Sequence, residues 1–130
     1  MIARSVLKCL ILLSMLLLLP AVLFAEDYFQ PIPMAEVLRF RNRPDVVVFD
    51  VNVKEIWEEH SIPGAVHIDT QDFERFLPKD KNAILIFYCA GPDSRRSAIA
   101  ANTAIILGFR QVYVMRDGIF RWLSAGYPVE

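Results

Sequence analysis

Two segments, residues 46–51 (Val-Val-Val-Phe-Asp-Val) and 83–89 (Ala-Ile-Leu-Ile-Phe-Tyr-Cys), are continuous β-rich runs without the polar alternation of a half-exposed strand. Strands of that composition must be covered on both faces. Shorter runs at 65–68 and 112–115 predict two more strands, and helical patterns separate them at 34–42, 53–59, 72–76, 95–107 and 119–124. Strands alternating with helices specify an α/β fold, a parallel sheet with helices on both faces.

The chain has 130 residues, 14 basic and 15 acidic, and a net charge of -1. That size permits one domain, and the balance of charge offers no basic face for a phosphate backbone, so no nucleic acid is expected as a partner. Much of the apolar excess lies in the first 25 residues, where Arg4 and Lys8 precede an apolar run over 9–25 that contains Pro20 and ends on Ala25, just before Glu26 and Asp27. This layout predicts an export signal over 1–25 and a periplasmic location. The run is 17 residues long, near the lower limit for crossing a bilayer, so a membrane anchor over residues 9–25 is the alternative, and a membrane is a partner only if the signal stays uncut. Beyond it, 26–33 reads as a lead-in segment and 34–130 as the folded domain. Residues 26–130 carry 12 basic and 15 acidic side chains and one cysteine, Cys89.

A lone thiol cannot form an internal disulfide. Its position must decide between a buried, inert side chain finishing a core strand and a chemical role. Cys89 ends one of the two buried strands, and the helix after it begins within a few residues, with Asp93 or Ser94 as N-cap and Gly108 as the stop. That helix is apolar around most of its girth, with Ala98, Ala101 and Ile105 on one stripe and Ile99, Ile106 and Leu107 on another. The carboxyl ends of strands in open α/β sheets are where ligands bind. The connecting loop, Ala90, Gly91, Pro92, Asp93 and Ser94, is expected to curl round the sulfur and aim backbone N–H groups and the helix dipole at it, with Arg95 and Arg96 adding full charges. Such an anion-binding cradle favours thiolate over thiol. Asp93 opposes that field, and its structural reading is turn chemistry with Pro92 at the second turn position. Cys89 is therefore the candidate nucleophile and residues 90–96 the candidate anion site. His60 and His67 have no Cys or carboxylate partners at ligand spacing, so no metal and no cofactor is expected. Trp57 and Trp122 read as core.

Three segments together resemble the rhodanese, or sulfurtransferase, domain family: Phe49-Asp50-Val51 followed by Ser61-Ile62-Pro63-Gly64-Ala65; Tyr88-Cys89 with its Arg-containing loop; and Val112-Tyr113-Val114 through Gly118, Trp122 and Gly126-Tyr127-Pro128-Val129. The resemblance covers nearly all of 34–130. It implies a five-stranded parallel sheet with helices on both faces. It also implies ping-pong transfer, in which the Cys thiolate takes the sulfane sulfur of a small anionic donor such as thiosulfate, holds it as a persulfide, and passes it to cyanide or a thiol. A sulfur-carrier or redox partner protein is the macromolecular acceptor this implies.

The family's usual loop has four residues between Cys and Arg, whereas this chain has five before Arg95 and six before Arg96. A gap of five is that of rhodanese-like phosphatases and arsenate reductases, which carry His before the Cys where this chain has Tyr88. Asn52 stands where the family often has Arg, Ser61 where it usually has His, and Asp117-Gly118 replaces a Gly pair. The alternatives to a sulfurtransferase are thus a phosphatase or arsenate reductase on the same scaffold, and a non-catalytic module that docks an anion, a sulfur carrier or a partner protein.

Overall fold

The computed structural model describes residues 2–17 and 28–130, with the side chains of 2–11 and 28–130. Helix α1, Ile2–Leu17, covers the basic start and part of the apolar run, while the expected cleavage point at Ala25 lies outside the described residues. Among the described residues, no helix is long and apolar enough to cross a membrane.

The rest is a five-stranded, all-parallel sheet in the order β1-β5-β4-β2-β3. Its strands are β1 Gln30–Pro31, β2 Val46–Asp50, β3 Val66–His67, β4 Ile84–Tyr88 and β5 Gln111–Met115. The two continuous apolar runs, now β2 and β4, pair in register from Val46↔Ile84 to Asp50↔Tyr88 at the centre. Helices α2 Met34–Phe40, α3 Lys54–Glu59, α4 Arg96–Ile106 and α5 Gly118–Ser124 cover it. Side chains of period two divide the core. Phe49, Leu85, Phe87, Val112 and Val114 face α4 and the segment carrying Phe73, whereas Val48, Ile86, Tyr88 and Met115 face Val37 of α2 and Ile119 and Trp122 of α5.

Four sequence expectations change. β1 arises within the lead-in segment, where Gln30 and Pro31 pair with Tyr113 and Val114; a two-residue strand carries no period to read. Residues 72–76 yield only a 3₁₀ turn at Glu74–Phe76. α4 starts without a side-chain cap, Arg95 occupying the N-cap position in place of Asp93 or Ser94. It is also one-sided: Ser97, Ala100, Ala101 and Ala104 are buried, while Ile99 and Ile106 are 54% and 83% exposed. Small residues let the helix backbone approach the sheet closely, which leaves the bulky Ile stripe outside. Its C-terminus follows expectation. Gly108, at φ +99, donates to the Ile105 carbonyl and Phe109 to that of Ala104, a left-handed cap.

Candidate active site

Cys89 follows directly on the central strand β4, flanked by β5 and β2. The chain leaves β2 toward β3 and leaves β4 in the opposite sense toward β5, so the crevice between β2 and β4 is the sheet's switch point, the usual ligand site in such folds. Period two turns Cys89 to the α4 side. There its Sγ lies 3.0 Å from the Ser97 hydroxyl, and both residues are buried, at 2% and 3% exposure.

The loop contains the turn expected at Pro92 and Asp93. Gly91 to Ser94 form a turn closed by a 3.1 Å bond from the Ser94 amide to the Gly91 carbonyl, with Pro92 at its second position and Asp93 exposed at its third. That turn brings two carbonyls to the sulfur, Gly91 O at 3.9 Å and Ser94 O at 3.6 Å, either of which can accept the thiol's one hydrogen. The first amides of α5 are spent on the same loop, Ile119 on the Cys89 carbonyl at 2.9 Å and Phe120 on that of Ala90 at 3.3 Å. The loop is therefore clamped from α5 through its carbonyls.

Gly118 makes the clamp possible. It has φ +72, and a Cβ there would lie 2.4 Å from the Ala90 carbonyl oxygen, so only glycine fits on both counts.

The two arginines diverge. Arg95 is exposed on the flank that holds Phe29 and Arg116, beside a hollow of about 30 Å³. Arg96 turns to the opposite flank, its Nε donating to the Val51 carbonyl at 2.7 Å and its side chain lining a cleft at the ends of β2 and β3. Arg96 thereby ties the start of α4 to the end of β2 through Nε.

Behind the loop lies a polar network that the sequence does not announce. The Tyr88 hydroxyl donates to Asp50 Oδ2 at 2.5 Å and accepts from the Ile62 amide at 3.0 Å; Asp50 Oδ1 accepts from the Asn52 amide at 2.8 Å. Asp50 and Tyr88 are both fully buried. Burial pushes the Asp50 carboxyl above the usual carboxylate range, against the Tyr88 hydroxyl, Asn52 and the His67 ring, which hold it down. Burial, then the neighbouring Asp50 charge, keeps the Tyr88 phenol far above its ordinary value and so a donor. Ser61 and Glu130 exchange two backbone bonds, 3.2 and 2.9 Å, pinning the end of the chain beside Ile62.

Residues 89–96 stand out in the sequence as a candidate site, whereas Ser97, Asp50, Tyr88 and Gly118 do not stand out there as a set. Ser97 had a signal: it is the polar member of the small-residue stripe with Ala100, Ala101 and Ala104. The Asp50–Tyr88 pair depends on strand register and had none. Trp57, read as core, is half-buried and stacks on His67 at 4.4 Å. Among the described residues no cluster of His, Cys, Asp and Glu is arranged to hold a metal ion.

Comparison with known proteins agrees with this architecture. A family model described as a rhodanese-like domain matches residues 34–125. The chain is 31% identical over 103 residues to the thiosulfate sulfurtransferase GlpE of Pseudomonas putida, covering 78% of this chain and 91% of that one. It is also 31% identical over 100 residues to an HTH-type transcriptional regulator of Mycobacterium tuberculosis, where 76% of this chain spans only 44% of the relative. The crystal structure of a rhodanese-related protein from Thermoplasma volcanium superposes with a TM-score of 0.65 at 26% identity, over 78% of this chain and 98% of that one. A parallel five-stranded sheet with a strand-end Cys loop, matched over most of its length by that model and these relatives, makes the chain a member of the rhodanese-like domain family.

Proposed function

We propose that this protein is a sulfurtransferase that moves sulfane sulfur from an anionic donor such as thiosulfate to a thiophilic acceptor through a persulfide on Cys89. The observation that carries this reading is the Ser97 hydroxyl 3.0 Å from Sγ at the end of the central strand. A hydroxyl can accept from a thiol or donate to a sulfur anion, so Ser97 can hold the sulfur in the form that reacts. The Cys89 thiolate attacks the outer sulfur of thiosulfate, the sulfur–sulfur bond breaks, and sulfite leaves with its electron pair. The persulfide anion then gives its outer sulfur to cyanide or a thiolate, and the electron pair of that bond returns to Sγ. Entry of the donor requires the exposed turn at Pro92 and Asp93 to swing outward, since Cys89 is 2% exposed and the contacts of its Sγ to the turn carbonyls, 3.9 and 3.6 Å, are long and weak.

Intact mass before and after thiosulfate tests it. One added sulfur is expected, lost in Cys89→Ser. In Ser97→Ala the gain forms about 10- to 100-fold more slowly, the equivalent of one hydrogen bond to a charged group. An unchanged mass in the wild type overturns the reading. The burial of Sγ favours a second reading, a docking module without turnover, which predicts no added sulfur and a partner that still binds Cys89→Ser. We further propose export, for which the same spectrum of protein recovered from the cell envelope is expected to show residues 1–25 removed; a full-length mass in the membrane fraction supports the anchor.

A further inference from the structure

A cleft of about 370 Å³ opens at the carboxyl ends of β2 and β3, next to the crevice beside Cys89. Its volume falls in the range of about 300–1,000 Å³ typical of sites for small organic ligands. The walls are rich in donors. Arg96 has spent only Nε, on the Val51 carbonyl at 2.7 Å, and Lys54 has a single loose, exposed pairing with Glu58 at 3.5 Å. Asn52 lines the cleft at 2% exposure, its Nδ2 sealed from solvent and its side chain acting on the Asp50 carboxyl behind it. His67 is held as part of the wall, its Nε2 2.8 Å from the Asn52 carbonyl and its ring flat on Trp57. The opposing charge is Asp69, whose Oδ1 already accepts the Gln71 amide at 3.1 Å. The Arg96 guanidinium, anchored through Nε, and the mobile Lys54 ammonium outnumber the one carboxylate of the wall, Asp69, and make this a site for an organic anion.

We propose that this cleft binds the carboxylate end of an organic thiol, the compound that takes the sulfur from Cys89; this assignment of acceptor class rests on the sulfur-transfer reading above. Arg96 and Lys54 hold the carboxylate, as guanidinium and ammonium groups do. The thiol end reaches across the end of β2 to the persulfide. There its thiolate attacks the outer sulfur, the bond to Sγ breaks with the electron pair returning to Cys89, and the organic persulfide departs as the anion.

Binding is read by NMR from the Asn52 side-chain amide and the His67 ring during titration of the full chain. Mercaptosuccinate and succinate are expected to shift both saturably, and uncharged 2-mercaptoethanol to shift neither. Lys54→Glu is expected to weaken mercaptosuccinate binding about tenfold or more, whereas Lys79→Glu, the same charge change at an exposed position outside the cleft, leaves it within about twofold. No saturable shift, an equal loss in both variants, or inorganic phosphate binding as tightly as mercaptosuccinate overturns the inference. The two readings fail separately: saturable binding without persulfide formation keeps the anion site but removes its role toward Cys89. If persulfide forms, mercaptosuccinate is expected to discharge it faster than 2-mercaptoethanol, and equal rates overturn the acceptor assignment.

Discussion

At the scale of single residues, the unusual expense lies in Asp50, a carboxyl in full burial whose partners are the Tyr88 hydroxyl and the Asn52 amide. Its folded-state pKa is raised, with burial the largest cause. A carboxyl raised on folding binds more protons folded than unfolded, so its contribution is most favourable below the ordinary Asp value of about 3.9 and declines as pH rises through the raised folded value. Asp50→Asn keeps one carbonyl oxygen, for the Asn52 backbone amide, sets an NH2 against the Tyr88 hydroxyl, and removes the titration, so its own cost is a constant offset that does not vary with pH. The stability of wild type relative to Asp50→Asn, from urea unfolding, is therefore expected to fall as pH rises from about 4 and to level off once the folded carboxyl has ionised. A difference that rises with pH would mean that Asp50 is stabilised as an anion. The identity of Asp50 and Tyr88 was plain in the chain, and their meeting was not. Those positions are 38 apart in sequence and touch only because β2 and β4 pair Asp50↔Tyr88.

At the scale of elements, the site is a loop held between two helix starts, α4 through Ser97 and Arg96, α5 through Ile119 and Phe120. Gly108 and Gly118 provide an internal control. Both have positive φ, +99 and +72, but a Cβ at Gly108 meets nothing within 4 Å, whereas at Gly118 it strikes the backbone of Ala90. Each Gly→Ala change is expected to cost about 1–2 kcal/mol for the left-handed backbone alone. Gly118→Ala is expected to cost more and to lose persulfide formation, as the Cys89 loop is pushed off α5, while Gly108→Ala keeps it at the wild-type rate. Thermal unfolding together with the thiosulfate mass shift distinguishes them; equal behaviour of the two variants contradicts the clamp. The left-handed stop at Gly108 was readable from helix punctuation. The start of α4 was not, because the Gly91–Ser94 turn uses up the residues that local rules would assign as caps.

At the scale of the whole molecule, one sheet carries two cores, and β2, β4 and β5 contribute alternate side chains to both. Neither layer can loosen without exposing the reverse of the same strands. Unfolding is accordingly expected to be two-state: in Trp57→Phe, fluorescence of the buried Trp122 and far-UV ellipticity should share one denaturant midpoint, and separate midpoints would show the layers uncoupled. The parallel sheet, its buried central strands and the strand-end cysteine follow from composition and order along the chain, because a run apolar on both faces has few ways to be covered and a short loop cannot carry the next helix away. Contacts between distant segments are of another kind. The two carbonyls beside Sγ, Arg96 on Val51, Tyr88 on Asp50, and the cleft of Asn52, Lys54, His67 and Arg96 arose only when register and helix placement brought those groups together. The apolar pattern specifies which surfaces are covered; the directions of polar groups depend on angles and distances that a linear order does not contain.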